Sequence, residues 1–171
     1  VAALRERGVD WLAPSDAEGA PVADEALIAS LAASEDARLR QALTGLFLLH
    51  PHLARHVPKV LIELTAAGLE TAGVELEARY MAAVYLQNLW RTKLKRYLGN
   101  FPDLNDLYSS KLELPAAPEG FGKPGLTALA EWHAHQTSAG YNRLAEYHQV
   151  IEHVFASLKL RARAHESAVA G

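Results

Sequence analysis

The 171-residue chain is half apolar and 22% charged, carries a net charge of −3 and contains no cysteine. That length and composition support one domain with a core of its own and exclude wholesale disorder. The missing thiol excludes a disulfide framework, a thiolate metal site and a cysteine nucleophile, and the mild acidity disfavours a dedicated nucleic-acid binder while leaving a local basic patch open.

No apolar run approaches membrane-spanning length, and the first residues, VAALRERGVDWL, lack the basic-then-apolar order of a secretory leader. A reducing cytoplasm is therefore the expected location, with no membrane partner. Residues 2–12 read as a short amphipathic helix that buries Leu4, Trp11 and Leu12, and the Pro, Gly and Asp of residues 13–21 break the chain. Asp24 and Glu25 suit the positive end of a second helix, whose buried face is Leu27, Ile28 and Leu31. Ser34 is the expected N-cap of a third, with Leu39, Leu43, Leu46, Phe47 and Leu49 inward. Pro51 ends that helix or opens the fourth, which carries Leu53, Val57, Val60, Leu61 and Leu64; Pro58, inside it, predicts a kink or a break near His56.

Residues 74–98, VELEARYMAAVYLQNLWRTKLKRYL, then read as one long helix that is apolar on nearly every side, the pattern of a central rod enclosed by its neighbours. Leu76, Tyr80, Val84, Leu94 and Leu98 form one stripe, and Met81, Tyr85, Leu86, Leu89 and Trp90 cover the other faces. Arg79, Gln87, Asn88 and Arg91 interrupt it, and a buried amide or guanidinium needs a partner. With Tyr80, the residues Gln87, Asn88 and Arg91 are candidates for the floor of a small-ligand pocket, and Asn142, Tyr147 and Gln149 are candidate partners for that seam.

Residues 99–125 are rich in Pro, Gly, Asn and Asp, a long loop of the kind that binds partners, with Asp103 expected to cap a turn through Tyr108. Tyr108, Leu112, Leu114 and Phe121 are its candidate interface residues. Two further helices are expected over 126–138 and 141–164, jointed at Gly140, with Ile151, Val154, Phe155 and Leu158 inward and a frayed tail. The expectation is a single all-α domain over residues 1–171, a bundle of about six or seven helices around the rod.

Eight histidines invite a metal reading. His52 and His56, four apart, share a helix face and could hold an ion completed by His133 or His148 with Glu131 or Glu152. No HExxH is present, and no Glu has a His three positions later, the pairing that builds carboxylate-bridged di-iron bundles. No cofactor motif is apparent either, so no cofactor is expected. Arg91, Lys93, Lys95 and Arg96 could grip phosphates, or could simply answer the negative end of their helix.

Two resemblances bear on function. Arg143 and His148 resemble the Arg-x4-His pattern of the HEPN ribonucleases, which implies a histidine in acid/base work on an RNA 2′-hydroxyl and an arginine on the phosphate; Leu144 stands where that family has a small polar residue. The segments DARLRQALTGLFLLHP (36–51) and YMAAVYLQNLW (80–90) resemble an uncharacterised bacterial all-helical family encoded beside minimal nucleotidyltransferases, a likeness that covers about residues 2–115. It implies a helical partner of a nucleotidyltransferase in a toxin–antitoxin-like pair and transfers no catalytic residue. The leading expectation is thus a non-catalytic interaction protein that binds another protein or itself, with a HEPN-like or metal-dependent nuclease and a small-ligand sensor as alternatives.

Overall fold

The computed structural model describes residues 1–12, 22–138 and 142–170. Among them are eight α-helices and no strand: α1 (Ala2–Glu6), α2 (Asp24–Ala32), α3 (Ala37–Leu49), α4 (Val57–Ala66), α5 (Glu70–Leu89), α6 (Arg91–Leu98), α7 (Lys123–Thr137) and α8 (Arg143–Ala170). Two 3₁₀ segments, Pro51–His56 and Glu119–Gly122, lead into α4 and α7. The chain is all-α, a multi-helix bundle, and no described helix is long and apolar enough to cross a membrane.

Helix α5 takes the interior position that its all-round apolar sequence demands. From Leu76 to Leu86 every apolar side chain is sealed from solvent, and α2, α3, α4 and α7 pack around it. Full burial of a Leu, Met or aromatic side chain contributes about 1.5–3 kcal/mol, so this one helix organises most of the core. Phe47 of α3 meets the Tyr80 ring edge-on at 5.3 Å, fixing α3 across α5. Helix α8 lies on α3 and α7 through Tyr147, Val150, Ile151, Val154, Phe155 and Leu158, and reaches α6 as well.

Local chemistry accounts for most helix ends, with corrections to the sequence reading. The N-cap of α3 is Asp36, not Ser34: the Asp36 carboxylate accepts from the Arg38 amide at 2.9 Å, while the Ser34 hydroxyl accepts from the Asp36 amide. The break expected near His56 is present: the 3₁₀ segment Pro51–His56 gives way there to α4, with Pro58 in the first turn, where its missing N–H is no loss. The rod over 74–98 begins earlier and is broken. Trp90, at φ −110° and ψ 18°, divides it into α5 and α6. Helix α1 is shorter than expected, and α8 continues to Ala170 through the stretch expected to fray. Residues 13–21 and Gly140 lie outside the described residues.

Candidate functional site

Where α3, α5, α7 and α8 meet, the apolar core gives way to a connected set of charged side chains. Glu75 and Arg79 stand one turn apart on α5, His133 and Thr137 one turn apart on α7, and Arg143, Glu146 and Tyr147 in the first turns of α8. Glu75 Oε1 bonds His133 Nε2 at 2.8 Å, and His133 Nδ1 bonds the Tyr147 hydroxyl at 2.7 Å. Arg79 donates from Nε to Glu75 at 3.1 Å and pairs through Nη1 with Glu146. Arg143 donates to the other Glu146 oxygen at 2.8 Å and to the Thr137 hydroxyl at 2.9 Å. Arg40 of α3 approaches Glu75 to 3.7 Å, and the Thr44 hydroxyl donates to the Arg79 carbonyl.

Burial and the neighbouring charges together decide the protonation states. Burial would push the Glu75 carboxyl up, but the His133 hydrogen bond and the positive charges of Arg79 and Arg143 outweigh it and hold the carboxyl down at about 2. Burial pushes His133 below its ordinary value, and Arg79 and Arg143 push the same way against the favourable bond to Glu75. A neutral His133 beside a carboxylate donates its Nε2–H to Glu75, so its Nδ1 accepts the Tyr147 proton. Burial pushes Tyr147 up, which keeps that hydroxyl a donor. The Glu75 and Glu146 carboxylates then face Arg79, Arg143 and the more distant Arg40.

The network opens onto a cleft of about 680 Å³. Arg40, Glu75, Thr137 and Arg143 reach it from the core side, with Glu35 and Glu70 at its margin. Tyr147 is fully buried behind them, so the Glu75–His133–Tyr147 chain fixes positions and does not present a nucleophile.

A second feature is the segment between α6 and α7. It lacks regular helix for most of its length, yet α5 ties it down: Tyr80 donates to the Asn105 carbonyl at 2.6 Å and Tyr85 to the Pro115 carbonyl at 2.7 Å. Gln87 accepts from the Leu104 amide and donates to the Pro102 carbonyl. The Asp106 carboxylate receives the Ser109 amide, the Ser109 hydroxyl and the Ala117 amide, doing the capping expected of Asp103, which instead pairs with Arg91. At the end of this anchored segment the backbone turns left-handed at Gly120, Phe121 and Gly122, with φ of 53°, 58° and 87°. The turn lets Gly122 lie against the α5 backbone, where an added Cβ would stand 2.5 Å from the Tyr85 carbonyl. Phe121, between the glycines, is 79% exposed.

The structure separates most residues that sequence reasoning groups. Of the interface candidates only Phe121 is at the surface. Tyr108 is 8% exposed with its ring edge-on to Tyr80, and Leu112 and Leu114 are half-buried against the core. Gln87, Arg91 and Tyr80 hold the loop through Pro102, Leu104, Asp103 and Asn105, whereas Asn88 donates to the Val84 carbonyl of its own helix; of the four, Tyr80 lines a small cleft, with Pro58, Pro102 and Leu107. Their expected partners serve elsewhere: Tyr147 bonds His133, Gln149 meets Gln41, and Asn142 caps α8. Arg143 lines the cleft over the ionic network, whereas His148 lines a different one with Trp90 and Phe155. The geometry therefore does not assemble the HEPN-like pair. His56 spends one ring nitrogen on Glu25 and the other on Arg55, and His52 meets the His50 ring edge-on. Among the described residues no three His, Asp or Glu side chains gather to hold a metal ion.

Sequence reasoning does not single out Glu75 or Glu146, and it reads His133 only as a metal ligand. A signal was available: Glu75 four residues before Arg79, in a helix otherwise almost wholly apolar, is the spacing of an intrahelical ion pair. Comparison of the chain with protein-family models, with curated proteins and with solved structures finds no match.

Proposed function

We propose that the chain is a non-catalytic helical interaction protein that engages another protein through Phe121. The observation that carries the reading is the combination of exposure, strain and anchorage at that residue. A left-handed backbone costs a non-glycine residue about 1–2 kcal/mol, and such cost persists only where the surroundings impose it. Here the surroundings impose it on an aromatic ring that faces solvent beside a shallow cleft lined by Lys123, Pro124, Thr127 and Ala128. A large ring on a backbone already held in place is what the anchor of a protein interface requires, because little ordering entropy is lost on binding.

The likeness of residues 36–51 and 80–90 to helical proteins encoded beside nucleotidyltransferases makes such an enzyme the first partner to test, in a toxin–antitoxin-like pair. Those segments are largely core here, so the likeness bears on fold and leaves the contact surface to Phe121. The test is Phe121→Gly, which relieves the backbone and deletes the ring. It should keep or raise the melting temperature while abolishing co-elution with a nucleotidyltransferase partner, or self-association if the partner is a second copy. Unchanged assembly in both arms counts against the proposal.

A further inference from the structure

Segments 90–98 and 159–163 hold seven of the 17 Lys and Arg residues and no acidic residue, which leaves 20 acids against ten bases in the rest of the chain. The fold joins them. Helix α6 lies against α8 so that the Trp90 and Tyr97 rings flank Phe155 at 5.7 and 6.3 Å, and Lys93 Nζ sits 4.2 Å above the Phe155 ring. Trp90, Lys93, His148, Phe155 and Lys159 line one cleft of about 490 Å³, with Glu152 its single carboxylate.

Cations elsewhere in the molecule are largely neutralised: Arg7 by Asp24, Lys59 by Glu25, Arg79 by Glu146, Lys111 by Glu77. In the α6–α8 patch, Lys93, Lys95, Arg96, Lys159 and Arg163 have no ion-pair partner among the described residues. The dipole of α6 accounts for Lys95 and Arg96, which occupy its last turn. It does not account for α8, where Lys159 and Arg163 precede the terminal Ala170 by far more than one turn. A field of like charge gathered on an acidic molecule is matched by a polyanion.

We propose that the α6–α8 face binds a single-stranded nucleic acid, with Lys95, Arg96, Lys159 and Arg163 on the phosphates and the half-buried Trp90 and Tyr97 rings beside the bases. Protein interfaces deplete lysine, whereas strand-binding grooves combine ammonium groups with aromatic platforms that unpaired bases can stack on. Each phosphate contact releases counterions, so affinity falls steeply with salt.

The test is fluorescence anisotropy of labelled mixed-sequence single-stranded RNA and DNA with the full chain, in a salt series. Two double variants, Lys95→Glu/Arg96→Glu and Lys159→Glu/Arg163→Glu, alter exposed groups on separate helices and should each weaken binding roughly tenfold or more at low salt. Each should also flatten the salt dependence by about one to two phosphate contacts. Tyr97→Ala should weaken binding without changing that slope, and Arg38→Gln, an exposed cation on α3, should change nothing. The proposal is overturned if the native chain binds no strand, if Arg38→Gln loses as much as the doubles, or if polyglutamate displaces the strand as well as unlabelled oligonucleotide does. Tighter binding of duplex than of single strands overturns it too.

Discussion

A carboxylate inside an apolar core costs several kcal/mol of lost hydration unless it is matched, and Glu75 is matched by His133, Arg79, Arg143 and Arg40 together. Its folded value near 2 lies below its ordinary 4.5, so the carboxylate contributes stability that is fully present above pH 4.5 and is lost as pH falls toward 2. That difference corresponds to about 3 kcal/mol. His133 acts in the same direction at higher pH, because below 6.5 the unfolded chain binds a proton that the buried ring refuses. Stability should therefore be greatest above neutrality and decline in two stages on acidification. Glu75→Gln removes one of the two carboxylates that face Arg79 and leaves the buried arginines short of charge, and should cost about 3–5 kcal/mol at pH 7. The gap to the native chain should narrow as pH falls from 5 to 3, since the unfolded native chain then takes up a proton that folded Glu75 does not. Urea unfolding at pH 7, 5 and 3 measures both effects, and a gap that stays constant would show that the carboxylate charge is not what stabilises the fold.

Between elements, the tightest approach is that of α7 to α5 at Gly125, where an added Cβ would stand 2.0 Å from the Tyr85 ring. Gly125→Ala should displace Tyr85, weaken its bond to the Pro115 carbonyl and cost about 1–3 kcal/mol by overpacking. Tyr85→Phe, which removes only the hydroxyl, should cost about 1 kcal/mol. Chemical denaturation of the two variants separates packing from hydrogen bonding, and equal losses would contradict the argument. Features of this scale were legible wherever one residue type dictates geometry: the break near His56 ahead of Pro58, Asp24 and Glu25 at a positive helix end, the apolar circumference of α5. The break at Trp90 was not, because WRTKLKRYL has ordinary helix propensity and no Gly or Pro before Gly99. Long-range contacts surround the break instead, since Gln87 and Arg91 hold the returning loop at Leu104 and Asp103. The anchored loop was equally opaque, because hydrogen bonds from Tyr80 and Tyr85 to carbonyls 25 and 30 residues away leave no trace in local spacing.

Across the whole molecule, the ionic network joins α5, α7 and α8 through side chains as far apart in sequence as Glu75 and Arg143, so only its intrahelical Glu75–Arg79 and Arg143–Glu146 spacings were visible in the sequence. The charge partition, by contrast, was half legible: the basic end of α6 could be read directly, but only the fold places the basic turns of α8 beside it. Cooperativity should follow burial. Helix α5, enclosed by four others, should exchange its amide hydrogens only on global unfolding, whereas residues 164–170 of α8, exposed on every side, should open locally. Ending the chain after Ala164 removes no buried side chain and should shift the melting temperature by less than about 2 °C, whereas Glu75→Gln should lower it by roughly 6–20 °C. The truncated chain also retains Lys159 and Arg163, so its affinity for single-stranded nucleic acid should match that of the native chain. If truncation instead melts the domain, the exposed turns of α8 hold the body together and the division between a packed bundle and a projecting basic helix fails.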